Sequence, residues 1–143
     1  MNLRYMKKED LGQVCMIENV LFSKPWSEKD FLEALSKEEN IYLVAEDKGK
    51  ILGYCGVWGV AGEGQITNVA VAKENQRKGV ATALFNYMFK EGEAKQMHAY
   101  TLEVRISNHA AIQLYEKIGF LSAGIRKDFY ELPTEDAIIM WKE

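Results

Sequence analysis

The sequence predicts a mixed α/β fold, with a central sheet of six or seven strands flanked by about four helices. Three observations support this class. Strand-like and helix-like segments follow one another in the order β, α, α, β, β, β, α, β, α, β, β. The central strand–helix–strand unit should be parallel and right-handed, because a helix separates its two strands. Short turns before and after this unit predict antiparallel hairpins on both of its sides.

The first part of the chain is predicted to hold a strand, two helices and a hairpin. The strand covers Leu3 to Met6, and a helix with one apolar face follows from about Glu9. Ser27 is a good N-cap for the second helix, and Asp30 stands three residues later, where a capping box would have Glu. The segments IYLVAE and ILGYCGVW, joined by DKGK, predict an antiparallel hairpin.

The second part of the chain supplies the parallel unit and a closing pair of strands. Its predicted elements are the strand GQITNVAVA, an amphipathic helix from Val80, the strand AYTLEV, a helix from about Asn108 to Lys117, and the antiparallel strands GIRKDFYE and DAIIMW. Gly119 suits the position after the fourth helix, since glycine tolerates a left-handed backbone there. Pro133 marks the loop between the last two strands.

Size and composition limit the classes of protein that this chain can belong to. Its 143 residues fit one domain, residues 1–143, long enough to bury roughly 70% of the surface of the unfolded chain. Apolar residues make up 48% of the chain and charged residues 27%, as in ordinary globular proteins. The net charge of −3 offers no basic face, so we expect no direct binding to nucleic acid. Mild acidity is compatible with a cationic substrate but does not identify one.

The cysteines, histidines and amino terminus argue against a metal, a disulfide or a secretory route. Cys15 and Cys55 lie in patterned segments without metal-ligand spacing, so we expect buried free thiols. His98 and His109 are too few for a histidine metal cage, and we expect no metal. The start MNLRYMKKED is charged where a secretory signal is apolar, and no stretch approaches ~18 uninterrupted apolar residues. We therefore expect a cytoplasmic protein without a membrane segment, of undefined oligomeric state.

A basic, glycine-containing turn, QRKGVA at residues 76–81, stands directly before the third helix. Cations are unfavourable at this end of a helix, because the peptide dipoles already leave partial positive charge there. A bound anion would relieve the conflict, since the first N–H groups of a helix lack helical partners, and Gly79 and Ala81 permit close approach. Arg77 and Lys78 could add hydrogen bonds to phosphate. From this string alone, a solvated basic turn is an equally good interpretation.

Two other phosphate motifs do not fit this sequence. A P-loop needs GxxxxGK followed by Ser or Thr, and no such string occurs. The string GEGQIT begins like a dinucleotide fingerprint, but it has Thr67 where the third glycine belongs and it precedes a strand. The turn at residues 76–81 is therefore the one candidate phosphate site in the sequence.

Longer segments around this turn resemble a known superfamily. ITNVAVAKENQRKGVATALF and TLEVRISNHAAIQLYEKIGF are similar to the GCN5-related N-acetyltransferases (GNAT), whose Q/R-x-x-G-x-G/A turn matches QRKGVA. With PWSEKDF, GIRKDFY and EDAIIM, the chain looks closer still to the bacterial ribosomal-protein-alanine N-acetyltransferase family. The resemblance covers most of the chain. It implies the GNAT fold and transfer of acetyl from acetyl-coenzyme A to a protein N-terminal α-amino group, that of the alanine of a small-subunit ribosomal protein.

The resemblance also implies where acetyl-coenzyme A binds. By position, the family's contacts to this cosubstrate fall on Val69, Ala70, Val71, Arg77, Lys78, Gly79, Val80, Ala81, Thr82 and Asn108. The pyrophosphate would lie on the turn, and the pantetheine arm would follow the strand by backbone pairing. A Val69 N–H could polarise the thioester carbonyl. For the valine and alanine side chains themselves, ordinary strand packing is the alternative.

Glu103 and Tyr115 match the family positions of the general base and the general acid. Without the resemblance, Glu103 would face water or pair with Arg105, and Tyr115 would pack in the core. A carboxylate of ordinary pKa ~4.3 is a weak base for an ammonium near ~8, so it would act through water or on the ammonium formed after attack. Cys15 and Cys55 match no nucleophile position. We therefore expect direct transfer without an acyl-enzyme.

The type of acceptor amine affects the energetics of the transfer. A modest base suits an α-amino group better than a lysine amine, whose pKa is about 2.6 units higher. Protein lysine, a small-molecule amine, or a non-catalytic acyl-coenzyme A sensor remain the alternatives. The loops FSKPWSEKD and FYELPTED are expected on the acceptor side. Trp26 and Phe129 could contact a peptide. The acidic residues Glu131, Glu135 and Asp136 could attract a basic one, although each of these five residue types is more often simply a surface or packing residue.

Overall fold

The computed structural model describes all residues, 1–143, and its elements follow the predicted order. The strands and helices are β1 (Asn2–Tyr5), α1 (Leu11–Leu21), α2 (Glu28–Leu35), β2 (Ile41–Asp47), β3 (Lys50–Val60), β4 (Glu63–Val71), α3 (Val80–Ala94), β5 (Ala99–Arg105), α4 (His109–Ile118), β6 (Leu121–Tyr130) and β7 (Glu135–Lys142). Short 3-10 turns cover Lys8–Asp10 and Lys73–Asn75. Strand β6 begins three residues before the predicted segment, because Leu121 pairs with Trp141 of β7.

The seven strands form one mixed sheet in the order β1-β2-β3-β4-β5-β7-β6. Only β4 and β5 are parallel, and α3 connects them. All other neighbours are antiparallel. The predicted mixed sheet with four helices and hairpins on both sides of a central parallel unit is confirmed.

Alternate residues of the strands feed two separate cores on the two faces of the sheet. Leu43 and Cys55 belong to a cluster of 17 buried residues that includes α3 and Tyr115 of α4. Tyr42 and Tyr54 belong to a cluster of 10 buried residues that includes α1 and α2. Helices α3 and α4 therefore cover one face, which we call the α3 face, and α1 and α2 cover the other, the α1 face.

Strands β4 and β5 pair over only three residues and then separate. Glu63–Gln65 lie opposite Ala99–Thr101, and no pairing follows. The separation begins at a β-bulge: Ile66 lies opposite Val57 of β3 and Asn68 lies opposite Gly56, so Thr67 is an extra residue in β4. A bulge of this kind bends its strand and increases the local twist. Beyond it, β4 has a free edge on the side facing β5.

The second helix has the predicted cap, and the two cysteines differ in burial. Ser27 and Asp30 form the expected capping box, with Asp30 N donating to Ser27 Oγ at 3.2 Å and Ser27 N donating to Asp30 Oδ2 at 2.9 Å. Both cysteines are free. Cys55 is buried, but Cys15 is only half-buried, because α1 turns it toward the edge of its apolar face. The expectation of a buried thiol was therefore wrong for Cys15. None of the helices is both long and apolar enough to span a bilayer.

Candidate active site

A cleft of about 590 Å³ opens where β4 and β5 diverge. Its floor is formed by both strands, and its rim by the α1–α2 loop and the β6–β7 loop. Among the predicted site residues, the cleft is lined by Val69, Glu103, Asn108, Tyr115, Trp26, Phe129 and Glu131. The structure therefore brings the two predicted catalytic residues into one cavity.

Glu103 lies in the middle of β5 and points to the α1 face. Its neighbours Leu102 and Val104 are buried in the core of the opposite face. The side chain of Glu103 is 14% exposed, and its nearest cation is Arg126, with Nε 3.9 Å from Oε2. The carboxylate is thus half-buried at the cleft, with a loose ion pair that leaves it free to bind a substrate.

Tyr115 lies on α4 and reaches the cleft from the α3 face. It is 9% exposed, and its ring packs against Phe85 and Phe120 at centroid distances of 5.7 and 6.2 Å. Burial raises the pKa of Tyr115 above its ordinary value of 10. A phenol in this environment stays protonated at neutral pH and is a proton donor. Core packing and a place in the active site are therefore compatible for Tyr115, because its ring belongs to the core while the residue also lines the cavity.

The basic turn before α3 has the geometry of an anion site. Gly79 has φ +81° and Arg77 has φ +64°, so the chain enters the helix through two left-handed residues. The first helical bond runs from Ala83 N to Gly79 O at 3.1 Å. No side chain caps this helix, and its first turn contains no acidic residue. The N–H groups of residues 80–82 therefore point outward without partners, which is the arrangement that binds phosphate.

The side chains of this turn are also free to bind a ligand. Arg77 and Lys78 are exposed, and so is Thr82 in the first turn of the helix. Gln76 Nε2 donates to Val71 O at 3.0 Å and joins the turn to the end of β4. The residues fit the diphosphate that the sequence predicts here.

The free edge of β4 supplies the second part of the predicted cosubstrate site. Val69, Ala70 and Val71 pair with Cys55, Tyr54 and Gly53 of β3 on one side only. Their remaining backbone groups face the gap toward β5, where a ligand with amide groups can pair with them. The side chains pack as the alternative interpretation proposed, with Val69 on the α3 face and Ala70 in the α1-face core.

Asn108 stands at the start of α4 and caps it. Its Oδ1 accepts a hydrogen bond from Ala111 N at 3.2 Å. The residue is exposed and lines the cleft. Its position between β5 and α4 is compatible with the predicted contact to the cosubstrate.

Glu18 is a buried carboxylate at the cleft to which the sequence analysis assigned no role. It is 3% exposed and lies on α1. Its Oε1 accepts a hydrogen bond from Tyr54 Oη at 2.6 Å, and its Oε2 accepts one from Trp26 N at 3.0 Å. Burial, with the nearby Glu18 charge as a second cause, raises the pKa of Tyr54. Glu18 thus ties the α1–α2 loop to β3 beside the cleft.

The β6–β7 loop is held by Arg105 at the end of β5. Its guanidinium donates to Pro133 O and Glu131 O, both at 2.9 Å, and pairs with Glu135 at 3.0 Å. It also lies 4.5 Å from the ring centroid of Tyr130. Burial raises the pKa of Tyr130 to about 12. Arg105 therefore fixes one wall of the cleft, a role that its place in the sequence did not indicate.

The acidic residues expected to attract a basic peptide are engaged within the protein. Glu131 pairs with Lys24 of the opposite loop. Glu135 pairs with Arg105 and also accepts a hydrogen bond from Ser107 N. Asp136 accepts one from Asp128 N at 2.8 Å. These carboxylates shape the loops around the cleft, and no group of three or more potential ligand side chains is arranged to hold a metal ion.

A family model described as the Acetyltransferase (GNAT) family matches residues 11–120. The chain therefore belongs to the GNAT acetyltransferases, as its fold and cleft indicate, and the predicted family and N-acetyltransferase class are confirmed.

Three similar proteins narrow the comparison. A Bacillus subtilis (strain 168) protein is 40% identical over 97% of this chain and 93% of its own length, and is provisionally named a ribosomal protein bS18-alanine N-acetyltransferase. The Escherichia coli (strain K12) protein of that name is 37% identical over 94% of this chain and 92% of its own length. The crystal structure of the ribosomal-protein-S18-alanine N-acetyltransferase from Escherichia coli superposes with a TM-score of 0.90, at 34% identity, over 99% of this chain and 92% of that one.

Proposed function

We propose that this protein transfers the acetyl group of acetyl-coenzyme A to the N-terminal α-amino group of a protein, and that its acceptor is the N-terminal alanine of a small-subunit ribosomal protein. The similarity to proteins named for that reaction supports the acceptor. A ribosomal acceptor implies a cytoplasmic enzyme. No metal takes part in the proposed reaction.

The observation that carries this proposal is the convergence of three features on one gap in the sheet. The uncapped turn at Gly79 can bind the pyrophosphate, and the free edge of β4 can pair with the pantetheine arm. Glu103 and Tyr115 line the same cleft, so they would stand on either side of a thioester bound in it. A site with these three parts suits acyl transfer from a long nucleotide thioester to an amine.

In the proposed reaction the neutral amine attacks the thioester carbonyl directly. A new N–C bond forms, and the carbonyl oxygen takes negative charge, which the Val69 N–H at the free edge can stabilise. Glu103 receives the proton lost by the amine nitrogen, directly or through water. The C–S bond then breaks, and Tyr115 donates its proton to the leaving sulfur. No step requires Cys15 or Cys55.

An N-terminal amine suits this site better than a lysine amine. The α-amino group has an ordinary pKa near ~7.8 and is neutral far more often at pH 7 than a lysine at ~10.4. The difference of about 2.6 units corresponds to roughly 3.5 kcal/mol of deprotonation cost. The Glu103 carboxylate lines the cleft with only a loose arginine partner at 3.9 Å, so it can accept the proton of an α-amino group.

The test is a comparison of acceptors under one set of conditions. The purified protein is incubated with acetyl-coenzyme A and an N-terminal peptide beginning with alanine, the same peptide with a blocked amino terminus and a free lysine, or spermidine. We expect the highest kcat/KM for the free alanine peptide. Faster transfer to the lysine peptide or to spermidine would contradict the proposed acceptor, and binding of acetyl-coenzyme A without transfer to any amine would favour a sensor.

A further inference from the structure

Asn68 is a buried amide in the cleft that the protein itself does not satisfy. The side chain lies in β4, is 6% exposed, and lines the cavity together with Glu103 and Glu18. Its Oδ1 has no hydrogen-bond partner and almost no accessible surface of its own, so a ligand can reach this oxygen only when the amide rotates about χ2. Buried polar atoms are nearly always paired in folded proteins, so an unpaired one inside a substrate cleft indicates a partner that arrives with the substrate.

The β-bulge determines which face Asn68 occupies. Asn68 lies opposite Gly56, which in turn lies opposite Tyr42 of β2, so the side chains of Asn68 and Tyr42 project to the same face, the α1 face. Glu103 points to this same face. A Cβ at Gly56 would overlap the Tyr42 ring, so glycine is required for that ring to lie across β3 toward Thr67.

Two tyrosine hydroxyl groups on the same face of the sheet as Asn68 are already used. Tyr42 Oη is hydrogen-bonded to Thr67 Oγ1 at 2.6 Å. Tyr54 Oη donates to Glu18 at 2.6 Å. Neither hydroxyl is available to Asn68, so these two groups of the fold supply no donor to its oxygen.

We propose that the Asn68 amide binds the acceptor: rotation about χ2 turns its Oδ1 into the cleft, where it accepts a hydrogen bond from the N-terminal amine that is to be acetylated. The proposal rests on the function proposed above. A neutral primary amine has two N–H groups and one lone pair. If one N–H is directed toward Glu103 and the other toward Asn68, the lone pair is left to point at the thioester carbonyl.

An amide oxygen suits this task better than a carboxylate. It accepts a hydrogen bond without adding a negative charge, so it does not stabilise the ammonium form as strongly as a second carboxylate would. The amine is therefore held in place with a smaller increase in its pKa than a second carboxylate would cause. Asn68 binds and Glu103 removes the proton, which separates the two tasks between neighbouring strands.

The pantetheine arm is the other possible source of a donor N–H. The α3 helix, whose amino terminus forms the anion turn, packs on the opposite face of the sheet from Asn68. The predicted pantetheine contacts also use the backbone of residues 69–71 rather than side chains. The geometry therefore favours the acceptor over the cosubstrate.

The test uses Asn68→Leu, which keeps the approximate shape of the side chain and removes its polar atoms. Three quantities are measured: kcat and KM for the alanine peptide, the affinity for acetyl-coenzyme A by calorimetry, and the melting temperature. We expect kcat/KM to fall about tenfold or more, an acetyl-coenzyme A affinity within about twofold of wild type, and a melting temperature equal to or about 3 °C above that of wild type, because an unpaired buried polar group is removed. Asn68→Thr, which keeps an oxygen acceptor on a strand-compatible side chain, should show a smaller loss of kcat/KM than Asn68→Leu.

Asn40 provides the matched control. It is a buried asparagine whose Nδ2 donates to Ala34 O at 3.0 Å and whose Oδ1 accepts from Gly59 N at 3.3 Å, so its amide is used by the fold. Asn40→Leu should lower the melting temperature, in contrast to Asn68→Leu.

Each other outcome counts against the inference. Unchanged kcat/KM in Asn68→Leu would overturn it, and a fall in melting temperature like that of Asn40→Leu would assign the amide to the fold. A parallel loss of acetyl-coenzyme A affinity would assign it to the pantetheine arm. If wild type acetylates no N-terminal peptide, the proposed function fails first and the role of Asn68 fails with it, whereas active wild type with equally active Asn68→Leu rejects Asn68 alone.

Discussion

Glu103 and Tyr115 line one cleft from opposite faces of the sheet. Glu103 projects from β5 toward α1, while Tyr115 reaches the cleft from α4 with its ring in the core of the α3 face. A molecule lying in the gap between β4 and β5 would therefore meet a carboxylate on one side and a phenol on the other. In the proposed reaction, this arrangement separates the group that takes up a proton from the group that supplies one.

Tyr115→Phe is expected to lower kcat about 100-fold or more while leaving the affinity for acetyl-coenzyme A nearly unchanged, because only the proton donor is removed. The ring packing against Phe85 and Phe120 is retained. The free energy of unfolding should therefore stay within about 0.5 kcal/mol of wild type. Steady-state kinetics measures kcat, calorimetry measures the affinity for acetyl-coenzyme A, and urea unfolding measures the stability. A kcat within threefold of wild type would show that Tyr115 is not the proton donor.

Glu103→Gln should reduce kcat/KM for the alanine peptide about 100-fold at pH 7, because the amide has no basic oxygen to accept the proton. Arg126→Gln is the matched control, since it removes the ion-pair partner of Glu103 at 3.9 Å and keeps the carboxylate. We expect the control to retain most of its activity. Equal losses in the two variants would mean that the ion pair, and not the base, is what matters.

Gly79→Asp should weaken acetyl-coenzyme A binding by electrostatic repulsion of the diphosphate. Gly79→Asn is the control of equal size, and asparagine tolerates the left-handed φ of +81° better than most residues. No protein atom lies within 4 Å of a Cβ placed at Gly79, so protein crowding does not contribute. The aspartate variant should bind acetyl-coenzyme A about tenfold more weakly than the asparagine variant at low salt. This difference in affinity should become smaller at higher salt, because salt screens the charges. Calorimetry at two salt concentrations measures the affinity difference and its salt dependence. Equal affinities of the two variants at low salt would refute a diphosphate at this turn.

Arg105→Lys should raise KM for the peptide more than it changes acetyl-coenzyme A affinity. Lysine keeps the charge but cannot donate to Glu131 O and Pro133 O at once while stacking on Tyr130. The β6–β7 loop should then exchange its amide hydrogens faster. Hydrogen exchange and peptide kinetics test this together, and an unchanged loop with unchanged KM would show that the arginine contacts are dispensable.

Asp10→Asn should destabilise the fold in a pH-dependent manner. The Arg4 guanidinium, which donates to both Asp10 oxygens at 2.8 Å, lowers the pKa of that carboxyl below its ordinary value. A carboxyl whose pKa is lower in the folded state adds stability above its unfolded pKa of ~3.9 and loses it as the pH falls further. The variant should lose about 2 kcal/mol of unfolding free energy at pH 7. Urea unfolding should show a smaller loss of unfolding free energy for Asp10→Asn at the lowest pH at which this variant and wild type both fold. The control Asp47→Asn, at an exposed position, should lose little unfolding free energy at either pH.

The order of elements and the anion turn could be predicted from the sequence because both depend on neighbouring residues. The capping box at Ser27, the start of α3 at Val80 and the alternation around Glu103 are patterns within a few positions of one another. The resemblance then added roles that no local pattern contains. The position of Tyr115 at the cleft, for instance, depends on how α4 packs beside β5.

What the sequence could not indicate are contacts between distant segments. Glu18 meets Tyr54 across 36 positions, and Arg105 reaches the carbonyls of Glu131 and Pro133 across 26 and 28. Such contacts depend on tertiary packing, and no spacing rule in the sequence predicts them. The unpaired amide of Asn68 is recognisable only by the partner it lacks, which requires coordinates.

The additional residue in β4 makes the enzyme sensitive to insertion and deletion as well as to substitution. Removing Thr67 would restore continuous alternation against β3 and take away the bend that separates β4 from β5. Strands β4 and β5 could then pair along their whole length, and the cleft that would hold the thioester would close. The residues proposed as acid, base and phosphate ligands would all still be present in the sequence. When distant homologues are aligned or chimaeras are built, the number of positions between Gln65 and Val69 therefore needs to be conserved as strictly as any side chain.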